Sequence, residues 1–191
     1  MKLGSLLLIT PLLFCASAFA SSVCPAVGAD TNGCELLVTV TAVDATGAAT
    51  SFTVTTSSPD QGTYDGSDDT LVGVVNSSGA TLNTLGLTST TDIFNFDGDG
   101  ACTFITCNGA TDPSGYGPAG ITFTGINATA TAGTVVFNPG IAASGSSWFS
   151  LEDAVLASQI TSAAPEPSSV LLIGLALPTA FAAYRRRSAA K

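Results

Sequence analysis

Short stretches in which apolar and polar residues alternate recur along the middle of the chain. Alternation with a period of two is typical of β-strands that bury one face, and β-branched residues favour strands. Clusters of Gly, Pro, Asn, Asp and Ser separate the stretches and predict turns. The pattern predicts strands at residues 36–43, 51–56, 71–75, 82–87, 93–96, 121–126, 134–137 and 147–151.

About eight short strands joined by turns favour an all-β fold, an antiparallel β-sandwich of immunoglobulin-like or jelly-roll style. A β-solenoid would need a fixed repeat period, and the sequence has none. The strand at 71–75 is apolar at nearly every position, which predicts burial on both faces. We therefore predict an acidic β-sandwich domain at 21–153, followed by a linker rich in Ala, Ser and Thr at 154–164.

The first 20 residues have the layout of a secretory signal peptide. Lys2 precedes an apolar run, and the small residues Ala18 and Ala20 form the small-x-small pattern that signal peptidase cleaves. We predict a signal helix at 1–20, removed after Ala20. The alternatives are a buried N-terminal helix, which leaves the cleavage pattern unexplained, and a lipoprotein signal through Cys15, which follows a bulky phenylalanine.

A second apolar run lies near the C-terminus, between a Pro-Glu-Pro sequence and an arginine cluster. The run at 170–184 is shorter than the roughly 20 apolar residues of a typical membrane-spanning helix. The arginines favour a cytoplasmic end, which places the preceding domain outside the inner membrane. We predict a C-terminal hydrophobic helix that anchors the chain at least transiently. The flanking residues are Pro165, Glu166, Pro167, Arg185, Arg186 and Arg187.

These three elements, in this order, resemble the PEP-CTERM sorting signal over residues 165–191. The resemblance implies that exosortase, a membrane-embedded cysteine protease, reads Pro-Glu-Pro and the arginines as sorting and processing residues. It also implies a surface or extracellular-polymer protein of a Gram-negative bacterium. Such tails are sometimes labelled ice-binding-protein C-terminal domains, which does not indicate ice binding here. A plain anchor helix is the alternative. Several stretches within 64–152 are also similar to the bodies of other PEP-CTERM proteins.

Charge is distributed very unevenly. No Lys or Arg occurs from Leu3 through Tyr184, the chain has no His, and thirteen of its 14 Asp and Glu residues lie at 21–164. Without His or Lys, the domain cannot assemble a Ser-His-Asp, Cys-His or Ser-Lys arrangement. Paired carboxylates could in principle hydrolyse glycosides, but one Trp and three Tyr are few for a sugar cleft. We expect no enzymatic activity, and no nucleic-acid partner for so acidic a domain.

Four cysteines remain after signal cleavage, and an even number in an exported domain predicts two disulfides. Three pairings are open, of which the sequence-local one is the most economical: Cys24 with Cys34, and Cys102 with Cys107. A zinc site is the alternative. Its usual CxxC spacing and histidine ligands are missing, so we favour disulfides.

Two acidic clusters are the candidate metal ligands. Asp side chains two positions apart on a turn that contains Gly can direct carboxylate oxygens at a hard cation such as Ca²⁺. Asp and Gly are also simply good turn formers, which is the alternative. Ca²⁺ is thus the one candidate cofactor. The candidate ligands are Asp65, Asp68 and Asp69 in the first cluster and Asp97 and Asp99 in the second.

The expected function is that of an exported, non-enzymatic protein of the cell surface or extracellular matrix, associated with exopolysaccharide. Its expected partners are signal peptidase and exosortase during export, extracellular polysaccharide afterwards, and the membrane through the C-terminal helix. The alternative is a Ca²⁺-dependent or carbohydrate-binding adhesion module that stays anchored in the inner membrane. An ice-binding protein would need a regular Thr array, and the Thr-rich runs here are interrupted.

Overall fold

The computed structural model describes residues 23–29, 33–57, 62–109 and 115–162. The predicted signal helix at 1–20 and the predicted C-terminal helix with its flanking residues at 165–191 lie outside these ranges. Among the residues described, no helix is long and apolar enough to cross a membrane.

The described chain forms two four-stranded sheets. The first sheet has the order β2-β1-β3-β7, with β1 at Leu36–Val43, β2 at Ala49–Thr56, β3 at Thr70–Asn76 and β7 at Ser146–Leu151. The second has the order β5-β6-β4-β8, with β4 at Leu82–Thr88, β5 at Ile121–Thr124, β6 at Ala132–Ile141 and β8 at Thr161–Ser162. A one-turn helix, α1, spans Ala101–Phe104, and a 3₁₀ turn spans Ala157–Gln159.

This architecture confirms the all-β prediction but departs from it in one pairing. β1 and β3 run parallel, while every other strand pair in the described chain is antiparallel. After β2 the chain returns to the opposite edge of β1, so β3 starts at the same end of the sheet as β1. The first sheet is therefore mixed.

Residues 93–96 do not form the predicted strand. Ile93 and Phe94 are buried, with at most 3% of their surface exposed, but they lie in a turn. The backbone N–H of Phe94 donates to the carbonyl of Ala130, and no strand ladder includes this segment in the described chain. The apolar pattern correctly indicated burial. The pattern could not indicate that, in the described chain, no strand pairs with this segment.

The main core lies between the two sheets. In β1, the alternate residues Leu36, Val38 and Val40 are buried, as period-two burial requires. They share one apolar cluster with Leu85 of β4 and Val135 of β6 in the second sheet. The two sheets thus bury their inner faces against each other, which is the packing of a β-sandwich.

A second, smaller cluster covers the outer face of the first sheet over β3. Leu71 packs there with Tyr64, Ala101 and the cysteines Cys24 and Cys34. Both faces of β3 are therefore covered, as its continuous apolar sequence predicted. This cluster fixes the loops that carry the acidic residues.

Both predicted disulfides are present, in the sequence-local pairing: Cys24 with Cys34, and Cys102 with Cys107. The first fastens the N-terminal segment to the outer face of β3. The second closes a small loop around α1, next to the acidic cluster that contains Asp97 and Asp99.

Residues 154–162, predicted as part of a linker, instead pack onto the domain. Val155 and Ile160 are 2% and 5% exposed and belong to the main core. The last two residues, Thr161 and Ser162, form β8 at the edge of the second sheet. A composition rich in Ala and Ser suggested a tether, but burial of two branched apolar side chains and pairing with β4 hold this segment against the domain.

Candidate functional site

The candidate site lies where β3 begins and β7 ends. These strands are antiparallel, and Thr70 of β3 pairs with Leu151 of β7. Asp69, just before β3, and Glu152, just after β7, are therefore neighbours at one end of the sheet. The local sequence positions each residue at a strand terminus, and the strand pairing brings the two carboxylates together.

A third carboxylate comes from the turn that precedes α1. Carboxylate oxygens of Asp69, Asp99 and Glu152 all lie within 4.8 Å of one another. Asp69 is 1% exposed, Glu152 is half-buried and Asp99 is exposed. The group therefore has a buried side at Asp69 and a side open to solvent at Asp99.

Two buried tyrosines direct their hydroxyls at these carboxylates. Tyr64 donates a hydrogen bond of 2.6 Å to Oδ2 of Asp69. Tyr116 donates to Oδ1 of Asp99 at 2.6 Å and also contacts Oε2 of Glu152. The hydroxyl of Tyr116 has one proton to donate, and it faces two carboxylate acceptors.

Packing fixes the tyrosine hydroxyls in position. The ring of Tyr116 lies against Phe96, with centroids 4.4 Å apart, and Phe96 lies in turn against Phe123 at 4.6 Å. The carbonyl of Tyr116 accepts a 2.8 Å hydrogen bond from the backbone N–H of Ser150 in β7. The Tyr64 ring packs edge-on against Phe104 of α1. Contacts with other aromatic rings therefore hold the two tyrosines that donate to the carboxylates.

The carboxylates crowd one another without a positive side chain to offset them. Burial raises the pKa of Asp69 to about 8; the hydrogen bond from Tyr64 opposes this shift, and the charges of Asp99 and Glu152 add to it. Burial also raises the pKa of Glu152, with a further contribution from Asp97 and Asp99. Asp69 is therefore mainly protonated near neutral pH. The proton offsets negative charge in the site, which a bound cation would also do.

The pKa values of Asp97 and of the two tyrosines are raised as well. A hydrogen bond shared with Asp99 raises the pKa of Asp97, and burial and charge repulsion from Asp99 add to the shift. Burial raises the pKa of Tyr116, and its hydrogen bonds to Asp99 and Glu152 reinforce the effect. Burial and the hydrogen bond to Asp69 do the same for Tyr64. Both phenols therefore stay protonated and act as donors.

The donor set consists of carboxylate oxygens, the ligands that hard cations prefer. Ca²⁺ takes six to eight oxygen ligands, so three carboxylates would form part of a shell that backbone carbonyls or water complete. The open side at Asp99 gives a cation access, and binding would replace the proton on Asp69. The residues present thus have the chemistry of a hard-cation site.

The structure brings together some of the predicted ligands and separates others. Asp69 and Asp99 both belong to the group, and the backbone N–H of Asp97 donates to Oε2 of Glu152 at 3.2 Å. Asp68 is exposed and outside the group. Asp65 is outside it too and supports the local turn instead.

Asp65 illustrates the turn-forming alternative. Its Oδ1 accepts backbone N–H hydrogen bonds from Ser67, Asp68 and Asp69 at 3.1, 3.2 and 3.0 Å. Burial opposes ionisation of this carboxyl, but these bonds and the hydroxyl of Ser67 hold its pKa below the ordinary value. Its charge is therefore already satisfied within the loop.

Sequence reasoning missed Glu152, Tyr64 and Tyr116 as members of the site. Glu152 directly follows a strand that was predicted, so the pairing of that strand with β3 would have pointed to it. The tyrosines carried no such local signal. Their role depends on tertiary contacts, since Tyr64 belongs to the second apolar cluster and Tyr116 packs against Phe96.

The segment that follows the described chain carries the informative similarity. Residues 163–188 match the family model described as a PEP-CTERM protein-sorting motif. The chain carries a PEP-CTERM sorting motif. This motif includes Pro165, Glu166, Pro167 and the arginine cluster, and it begins at the residue after β8. It implies export to the cell envelope and processing by exosortase. No curated protein and no solved structure matches the chain.

Proposed function

We propose that the chain is a non-enzymatic protein of the cell surface or extracellular matrix, associated with exopolysaccharide. Signal peptidase removes residues 1–20, and exosortase cuts the chain in or next to the Pro-Glu-Pro sequence. The released unit is the acidic β domain. The observation that carries this proposal is the PEP-CTERM motif at 163–188.

The domain itself supports a structural role rather than catalysis. The 21–164 region contains no Lys, Arg or His, so the usual nucleophile–base pairs have no members there. Two disulfides suit an oxidising compartment outside the cytoplasm. A strongly acidic surface also keeps exported copies apart and soluble.

The termini of the native protein test the proposal. We expect mass spectrometry of protein from its own host to show a mature form that starts at Ser21 and ends between Pro165 and Ser169. Cell fractionation should place it outside the inner membrane. An intact chain that retains Arg185–Arg187 in the inner membrane would contradict processing and leave a tethered periplasmic domain.

The polysaccharide association needs its own measurement. We expect the mature protein to co-purify with the extracellular polymer of the host and to be released when that polymer is digested. The matched control is the same extraction from a strain that makes no polymer. Equal recovery from both strains would contradict the association and leave only the sorting route.

The group formed by Asp69, Asp99 and Glu152 favours a second candidate function, a Ca²⁺-dependent adhesion module. Its support is the convergence of three carboxylates within 4.8 Å in a region without a positive side chain. A bound Ca²⁺ ion would offset the mutual repulsion of these carboxylates and so stabilise the loops before β3 and before α1. A module of this kind would present those loops to a carbohydrate or a neighbouring cell.

Thermal unfolding with and without Ca²⁺ tests this second candidate. We expect millimolar Ca²⁺ to raise the Tm of the exported protein by roughly 5 °C relative to a chelating buffer. Asp99→Asn should remove most of that rise, whereas Asp68→Asn, an exposed neighbour outside the group, should keep it. An equal Tm in both buffers would eliminate the Ca²⁺-dependent candidate and leave the sorting proposal intact.

A further inference from the structure

Asn108 and Gly109 form an exposed turn directly after the disulfide between Cys102 and Cys107. The φ angle of Gly109 is 71°, in the left-handed region that glycine adopts without strain. In the described chain, no hydrogen bond holds the side chain of Asn108 or the backbone N–H of Gly109. The side-chain amide and the next backbone nitrogen can therefore approach each other.

The other asparagines of the described chain lack this combination. Asn127 is exposed too, but its Oδ1 accepts backbone N–H hydrogen bonds from Thr131 and Ala132 at 2.9 and 3.2 Å. Asn138 precedes a proline, which has no backbone N–H. The remaining three are Asn76, which is buried, Asn83, which is half-buried, and Asn95, which precedes a bulky phenylalanine.

An asparagine followed by glycine can lose its side-chain amide without an enzyme. The backbone nitrogen of Gly109 bonds to Cγ of Asn108 and gives up its proton, while the Cγ–Nδ2 bond breaks and ammonia leaves. Glycine permits this attack because it has no Cβ to crowd the nitrogen. Water then opens the cyclic imide at the side-chain carbonyl to give aspartate, or at the backbone carbonyl to give isoaspartate. Water is consumed, ammonia is released, and nothing is oxidised or reduced.

We propose that Asn108 is a site of spontaneous deamidation, at which the exported protein acquires aspartate and isoaspartate as it ages. This inference goes beyond the proposed function and depends on neither exosortase nor polysaccharide. Conversion adds a negative charge to the 21–164 region, which has no Lys, Arg or His to offset it. Isoaspartate also routes the main chain through the side-chain carbon and so lengthens the turn.

Peptide mapping of the purified exported protein measures the reaction. The protein is kept folded in a mildly alkaline buffer, with its disulfides intact, and is sampled over days before reduction and digestion. Chymotrypsin cuts after aromatic residues, so Phe104 and Tyr116 bound a peptide that contains Asn108. We expect its acidic and isoaspartyl forms to accumulate roughly tenfold faster than those of the Asn127 peptide, a barrier lower by about 1.4 kcal/mol.

Two substitutions and an isotope label assign the product to this turn. Asn108→Gln keeps an amide but would have to close a larger ring, so the acidic form of this peptide should disappear. Asn95→Gln, at another exposed position, is the matched control and should leave the rate at Asn108 unchanged. In water enriched in heavy oxygen, the new carboxyl at residue 108 should carry the label, which separates conversion during the incubation from earlier damage.

The reduced and denatured chain shows how fast the reaction runs without the fold. If residue 108 remains an amide in the folded protein while the denatured chain converts, the turn protects Asn108 and the proposal is wrong. It is also wrong if Asn108→Gln accumulates isoaspartate as fast as the wild type. The source would then be another residue, such as Asn32, which also precedes a glycine and lies outside the described ranges. Neither result bears on sorting, since the reaction is followed in whatever form of the chain the host produces.

Discussion

Tyr64 and Asp69 form a buried hydrogen bond at the start of β3, with 2.6 Å between the phenolic oxygen and Oδ2 of the carboxyl. Both residues are 1% exposed. The backbone N–H of Tyr64 also donates to the carbonyl of Asp69 at 3.2 Å, so the loop is closed twice by the same two residues. This pair fixes the innermost carboxyl of the candidate site.

Replacing Tyr64 by Phe should therefore destabilise the domain. Phe keeps the ring packed on Phe104 but leaves the buried carboxyl of Asp69 without its phenolic donor. We expect the free energy of unfolding to fall by about 1–3 kcal/mol, measured by denaturant titration with the disulfides intact. A change within about 0.5 kcal/mol, the range of an ordinary surface substitution, would contradict this role of the hydrogen bond.

The raised pKa of Asp69 predicts a pH dependence of stability. Its folded-state pKa of about 8 lies above the ordinary value of 3.8, so the folded domain keeps a proton that the unfolded chain releases. The stabilisation is complete below pH 4 and is lost as the pH rises through 8. In a chelating buffer, we expect the contribution of this group to fall by up to about 1.4 kcal/mol per pH unit as the pH rises from 4 to 8.

Asp69→Asn serves as the control for this dependence, because an amide keeps an acceptor for Tyr64 and does not titrate. The variant should show a flatter profile and exceed the wild type in Tm at pH 8. Asp68→Asn, at an exposed position, should retain the wild-type slope. If Asp69→Asn and the wild type lose stability in parallel from pH 4 to 8, Asp69 is not the responsible group.

Replacing Asn76, which lies far from the acidic group, should greatly lower the free energy of unfolding. This residue is fully buried at the end of β3, and its Nδ2 donates to the carbonyls of Ala80 and Ile141 at 2.7 and 2.8 Å. Its Oδ1 accepts from the hydroxyl of Ser78 at 2.7 Å. Asn76→Ala leaves the buried carbonyl of Ile141 and the part-buried carbonyl of Ala80 without this donor, and we expect a loss of about 2–4 kcal/mol by denaturant titration.

Ser78→Ala is the milder companion of that variant. It removes only the hydroxyl that donates to Asn76, at a half-buried position. Its cost should stay near 1 kcal/mol. Equal losses for the two variants would show that the buried amide does not hold the β3–β4 and β6–β7 connections together.

Gly73 should not tolerate a side chain. A Cβ at this position would lie 2.3 Å from Sγ of Cys34 and 3.1 Å from side-chain atoms of Leu37 and Val23. The disulfide can pack on β3 only because this face of the strand is bare. We expect Gly73→Ala to cost about 1–3 kcal/mol through overpacking. A variant as stable as the wild type would show that the N-terminal segment can shift away from the sheet.

Much of the strand content could be predicted because strand patterns are local. Period-two burial placed β1, β3 and β7 with small errors at their ends, and continuous apolarity indicated that β3 is covered twice. Residues 93–96 show the limit of such patterns: burial in a turn and burial in a strand select the same residue types. Residues 154–162 show the converse, since a composition typical of linkers concealed two core side chains.

The candidate site was partly predictable for a related reason. Asp69 and Asp99 stood out as members of acidic turns, but so did Asp65, whose carboxylate only caps its own loop. The residues around an Asp in the sequence do not show whether its carboxylate faces another loop or accepts hydrogen bonds from its own backbone. Glu152 and Tyr116 could not be assigned before the pairing of β3 with β7 and the packing of the loops were known.

Three properties follow from the order of the amino acids: the PEP-CTERM motif, the exclusion of positive charge from residues 3–184, and the alternating strands. The folded domain adds the choice of which strands pair, including the parallel β1–β3 contact, and of which carboxylates meet. The physical reason is that alternation specifies a strand and its buried face but not its neighbour. Asp69 and Glu152 are far apart in the sequence, and they come into contact only because β3 pairs with β7.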